Sequence, residues 1–141
     1  MTEGAVDPLQ PPRQDERPVF LNPLKVHLPV TATVSLGHRI SGLLLVLVLP
    51  LVAYLLHRSL AADADLSGWA SALRSWPGRF VLLLLTWAAV HHTAAGVRHL
   101  LFDAGYGNRY RQARRTAWTV HGIAIAVTLL ALVAMVWGAV R

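Results

Sequence analysis

His91-His92-Thr93-Ala94-Ala95-Gly96-Val97-Arg98-His99-Leu100-Leu101-Phe102-Asp103 is the stretch that decides the fold. It starts inside an apolar segment running from about Phe80, long enough to cross a bilayer, yet it carries three histidines and an arginine. Ionisable side chains at membrane depth are costly, so they read as functional. At 100° per residue His92, Gly96, His99 and Asp103 share one helical face, spaced four, three and four apart. A neutral imidazole there can ligate haem iron, and a glycine one turn away lets a bulky group approach the backbone. His92 is therefore the expected ligand. His91 is adjacent but ~100° around the helix, off that face.

Composition agrees with a membrane setting. Of 141 residues, 55% are hydrophobic and only 14% charged, with mean hydropathy +0.47. A soluble domain carries roughly 25% charged residues, so this chain lacks the polar surface to cover itself in water. The length leaves room for about three spanning helices of ~20 residues. With no cysteine, the chain holds no disulfide, no iron–sulfur cluster and no covalently attached haem. The net charge of +6 is first a topology signal. Its arginines flank apolar spans and do not form one solvated face, which argues against nucleic-acid binding.

Working outward from the histidine stretch, the predicted fold is an all-α membrane protein with three transmembrane helices in an up-down-up bundle. Residues 1–16, with Pro8, Pro11 and Pro12, read as a flexible tail without a cleavable signal pattern. Residues 17–34 read as a cytoplasmic or interfacial segment broken by Pro18, Pro23 and Pro29. Residues 35–141 form the anchor domain, with spans at about 35–57, 80–102 and 116–140. Arg13, Arg17, Lys25, Arg109, Arg111, Arg114 and Arg115 fall on one side, against Arg58, Arg74, Arg79 and Arg141 on the other. The positive-inside rule then puts the N-terminus in the cytoplasm and the C-terminus outside, which for a bacterial inner membrane is the periplasm.

The start of the first span, Ser35-Leu36-Gly37-His38-Arg39-Ile40-Ser41-Gly42, places Ser35, His38, Arg39 and Gly42 on one broad face. The second span returns toward the same side, so its histidines lie at similar depth and the two polar clusters can face each other. A quinone needs donors for its carbonyls and positive charge where a reduced anion develops, which a serine hydroxyl and a guanidinium supply. Haem needs an axial imidazole and cations for its propionates, a task suited to His38, Arg39 and Arg98.

Ser35-x-x-His38-Arg39-x-Ser41-Gly42, followed by His92-x-x-x-Gly96-x-Arg98-His99-x-x-x-Asp103, resembles the cytochrome b membrane-anchor subunit of succinate dehydrogenase (respiratory complex II). The opening Arg17-Pro18-Val19-Phe20-Leu21-Asn22 looks like that of bacterial members, although Val19-Phe20-Leu21 stands where many carry Ser-Pro-His. The resemblance covers nearly all of 17–140. It implies a haem b whose axial ligand is His92, with His38 and Arg39 near the propionates and Ser35 and Arg39 at the ubiquinone site. It further implies a second small anchor subunit supplying the other haem ligand, and flavoprotein and iron–sulfur subunits that carry FAD and the clusters. The chain would then be no enzyme by itself, but a subunit of a complex serving electron transport and the tricarboxylic acid cycle.

Other readings stand beside these. His92 can serve helix packing in a haem-free structural anchor, as polar side chains in membrane bundles do. A fumarate reductase anchor would run the reverse reaction. A haem subunit of a hydrogenase or formate dehydrogenase would need more paired intramembrane histidines than this chain has. His99 reads as an interfacial hydrogen bonder, Asp103 as a helix-end anchor or proton-handling group, His57 as solvated, and His121 as ambiguous. Ser35 can also cap the first helix, and Arg98 can reach lipid phosphates.

Overall fold

The computed structural model describes residues 28–61 and 65–140. The tail expected over 1–16, and the part of the 17–34 segment up to His27, lie outside the described residues.

Pro29 is extended (φ −63°, ψ 152°) and its carbonyl accepts from the N–H groups of Ala32 (2.8 Å) and Thr33 (3.2 Å), opening helix α1 (Val30–Ser59). The helix begins five residues before the expected Ser35 and continues through Pro50. Val30-Thr31-Ala32-Thr33-Val34 contains no breaker, and backbone groups near hydrocarbon must bond within the chain. Ser35 is consequently inside the helix and does not cap it.

The polar connection expected over 58–79 contains a short helix, α2 (Ser67–Arg74). Asp65 accepts from the Ser67 N–H at 2.9 Å, and hydrogen bonding from Ser67 holds its carboxyl below the ordinary range. Eight residues are too few for a helical period to stand out in the sequence. Helix α3 (Trp76–Asp103) follows at once: Ser75 caps it by accepting from the Gly78 N–H at 3.3 Å, with Pro77 in the first turn. That places its start four residues before the expected Phe80.

Helix α3 closes in a Schellman turn. The Tyr106 N–H donates to Leu101 O (2.8 Å) and the Gly105 N–H to Phe102 O (2.9 Å). Gly105 has φ +83°, a conformation that glycine adopts without Cβ strain. Helix α4 (Tyr110–Val140) starts six residues before the expected Thr116. Its first two turns carry Arg111, Arg114 and Arg115, which lower hydropathy while favouring helix.

The three long helices hold 30, 28 and 31 residues. At ~1.5 Å per residue each outreaches a ~30 Å hydrocarbon core, so the apolar runs mark only their embedded parts. All three are apolar enough to span a membrane, which bears out the expected multi-pass, three-span architecture. Helix α3 is central, packing against α1 on one side and α4 on the other. Its inner face is Ala88, His91, Ala95 and Arg98, all buried. Val34 of α1 and Ala117 and Val120 of α4 cluster with its Ala95. Small residues at these crossings let the helices approach closely, since packing and not water exclusion holds helices together in lipid.

Candidate functional site

The two polar clusters do meet. The His38 imidazole of α1 stacks on that of His92 in α3, with centroids 4.2 Å apart and planes 19° apart, and His99 lies 5.2 Å from His38. His92 Nδ1 is 3.2 Å from the His38 backbone oxygen and 3.4 Å from Ser41 Oγ. A carbonyl only accepts, so Nδ1 carries the proton and donates, and the lone pair lies on Nε2. Ser41, fully buried, donates to the same carbonyl at 3.0 Å. Among the described residues nothing hydrogen-bonds His92 Nε2. Metal-ligating histidines usually show this arrangement, with one ring nitrogen tied to a carbonyl and the other presented outward. The donor set therefore fits a haem held by His92, whose ring is only half-buried in this chain.

Glycines shape the pocket. A Cβ on Gly42 would lie 2.9 Å from His92 Cε1 and 3.2 Å from Nδ1, so α1 comes this close only because the side chain is absent. Gly96 was expected to admit a bulky group. Within the chain the neighbour is His38 Nε2, 3.6 Å from a Cβ at Gly96, an ordinary contact.

His91 occupies a different environment. It is fully buried between the helices, its ring 5.2 Å from Trp87 and 5.3 Å from His121. Its Nε2 lies 3.4 Å from Val34 O and so donates there, leaving Nδ1 buried without a partner among the described residues. A Cβ on Gly37 would meet His91 Nε2 at 2.5 Å. No haem shared with another chain can reach so sealed a ring. His121 sits beside His91, not His92, and its Nε2 donates to Thr33 Oγ1 at 3.1 Å, since that hydroxyl donates onward to Val30 O.

The remaining predicted residues divide. Ser35, three residues before His38 on α1, is half-buried, and Arg39, directly after His38, is exposed. Arg98 is not brought to the cluster. It points to α4, with Nε donating to Thr116 Oγ1 (3.1 Å), Nη2 to Ala113 O (3.2 Å) and the guanidinium 4.3 Å above the Phe102 ring. His57 and Asp103 are exposed. Among the described residues no group of three or more His, Asp or Glu could hold a bare metal ion.

Sequence reasoning gave no role to Ser41 and did not see the contacts His91–Trp87, Thr33–His121 or Arg98–Thr116. One signal was available: Ala88, His91, Ala95 and Arg98 are spaced three, four and three apart, the period of a buried helix face.

Comparison with known proteins matches residues 13–131 to the family described as succinate dehydrogenase/fumarate reductase transmembrane subunit. The succinate dehydrogenase cytochrome b556 subunit of Coxiella burnetii is 37% identical over 118 residues, covering 82% of this chain and 94% of that protein. The cytochrome b556 subunit of Paracoccus denitrificans is 31% identical over 116 residues, 79% and 89% of the two chains. The succinate dehydrogenase cytochrome b560 subunit of Reclinomonas americana is 33% identical over 124 residues, 82% and 83% of the two chains.

Proposed function

This chain belongs to the succinate dehydrogenase/fumarate reductase transmembrane-subunit family, and we propose that it is the haem b-binding anchor of a succinate:ubiquinone oxidoreductase. The relatives named above are succinate dehydrogenase subunits, which favours that direction over fumarate reduction. The observation that supports the reading is the His92 imidazole, its Nδ1–H tied to the His38 carbonyl and its Nε2 without a hydrogen-bond partner among the described residues.

His92 would hold the haem iron through Nε2, and a second, smaller anchor subunit would supply the opposite ligand. When bound, the haem supplies a one-electron reservoir beside the quinone site. His38 and Arg39 would face the propionates. Arg98, committed to Thr116 and Ala113, ties α3 to α4 instead. Ser35 and Arg39 would donate hydrogen bonds to the quinone carbonyls, and the guanidinium would favour the negative charge that develops on reduction. FAD and the iron–sulfur clusters would reside on a flavoprotein and an iron–sulfur subunit docked on the cytoplasmic face, where α1 and α4 begin. The chain alone performs no turnover.

The test is the reduced-minus-oxidised absorption spectrum of the purified complex with His92→Leu and His91→Leu. A b-type signal lost with His92 and kept with His91 is the expected result. Its persistence without His92 would overturn the ligand assignment. A wild-type complex lacking any haem signal would replace the reading with a haem-free structural anchor.

A further inference from the structure

Between the starting ends of α1 and α4 lies a cavity of about 570 Å³ that shares no lining residue with the His38–His92 cluster. Its polar wall is Thr31, Thr33, Tyr110, Arg114 and His121. We propose that this cavity binds the phosphodiester headgroup of an anionic membrane phospholipid, with Arg114 and Tyr110 as its principal contacts.

Charge is the first argument. The described residues contain only two carboxylates, Asp65 and Asp103, and neither lines the cavity. Against them stand Arg109, Arg111, Arg114 and Arg115 around the first turn of α4, which contains no acidic residue. Clustered cations at a helix start repel one another and oppose the helix dipole. An external anion relieves both effects. Only Arg114 of the four reaches the cavity, so that is where an anion gains most.

The second argument is donor chemistry. Arg114 presents a guanidinium fork suited to two phosphate oxygens, and the Tyr110 and Thr31 hydroxyls can add neutral donors. His121 does not contribute a donor, because its Nε2–H is given to Thr33; it closes the inner end of the cavity. The third argument selects lipid over a free anion. Leu28, Pro29, Val30 and the Trp118 ring make up the apolar part of the wall, and both helices run from here into apolar spans. Tyr110 and Trp118 are the amphipathic side chains that settle at headgroup depth. A headgroup seated on Arg114 would leave its acyl chains beside the membrane-spanning faces.

The experiment uses the intact complex, delipidated in detergent and titrated with phosphatidylglycerol, with bound lipid counted by native mass spectrometry. The variants are Arg114→Gln, Tyr110→Phe and, as an equal charge loss outside the cavity, Arg111→Gln. Loss of one charge-assisted contact should weaken one tightly held phosphatidylglycerol about tenfold in Arg114→Gln. Tyr110→Phe should weaken it less, and Arg111→Gln should match wild type. Equal weakening in Arg111→Gln would reduce the effect to general surface charge and overturn the site. So would unchanged lipid retention in Arg114→Gln. Displacement of the lipid by inorganic phosphate at millimolar concentration would assign the cavity to a free anion. A raised KM for ubiquinone in Arg114→Gln, with lipid count unchanged, would assign it to quinone. The haem spectrum, unaffected by any of these outcomes, keeps this test separate from that of His92.

Discussion

Replacing Gly42 with alanine probes the ligand geometry without touching a polar group. The new methyl carbon would sit 2.9 Å from His92 Cε1 and 3.2 Å from Nδ1. Carbon pairs rest at about 3.5–4.0 Å, so the ring must retreat by roughly 0.6 Å or more. The Nδ1–H···O bond to His38, 3.2 Å long, is already at the long end of the normal range. A retreat along it would stretch it to about 3.8 Å, where it no longer holds the tautomer or the ring plane. Stability should change little: alanine favours the helix by about 1 kcal/mol, against about 1–3 kcal/mol for overpacking. Haem retention should fall much more, about 10- to 100-fold in affinity, the usual cost of losing the group that orients a metal-bound histidine. The assay is haem per complex, from the reduced-minus-oxidised spectrum, alongside the thermal midpoint of the complex. Gly122→Ala is the control, because nothing lies within 4 Å of a Cβ there. It should keep full haem. Full haem content and an unshifted spectrum in Gly42→Ala would refute the proposal that this α1–α3 contact sets the ligand.

Three further outcomes follow from the same geometry. Arg39→Leu should abolish ubiquinone reduction while succinate oxidation with an artificial acceptor survives; normal ubiquinone kinetics would remove Arg39 from the quinone site. Gly37→Ala drives a methyl into His91, which is fully buried and has nowhere to move. The complex should lose about 1–3 kcal/mol of stability, read as a lower midpoint in thermal unfolding, and an unchanged midpoint would show that α1 and α3 are not in contact there. Asp65 has a depressed pKa through hydrogen bonding from Ser67. Its support for α2 is present above the ordinary carboxylate pKa and is lost as pH falls through the lowered value. Amide exchange in α2, corrected for its intrinsic pH dependence, should accelerate across that acid window in wild type and show no such step in Asp65→Asn.

How much of this was legible in the sequence depends on which physical signal each feature leaves. Three spans were readable because lipid exposure demands long apolar runs, and Leu43–Leu56, Val81–Val90 and the run after Thr116 supply them. Helix starts were read four to six residues late because hydropathy follows the solvent, not the backbone. Val30–Val34, Trp76–Arg79 and Tyr110–Arg115 are helical where the chain has already reached the interface. Ser75 followed by Pro77 was a start signal independent of hydropathy, and it marks α3 correctly.

The site shows a deeper limit. Periodicity put His92, Gly96 and His99 on one face, and the structure sets His92 and His99 against His38. Periodicity alone, however, cannot say which of two neighbouring faces looks into the chain and which looks outward. The face through Ala88, His91, Ala95 and Arg98 turned inward because alanine at two of its four positions lets α1 and α4 close on α3. That choice removed Arg98 from the imidazole cluster and buried His91 with Nδ1 unsatisfied, at a cost of about 1–3 kcal/mol. It also left His92 half-buried against α1. The proposed haem, shared between two chains, would need a ring that is not sealed inside one of them, so the small residues beside His91 do as much to make His92 the candidate as the imidazole itself does.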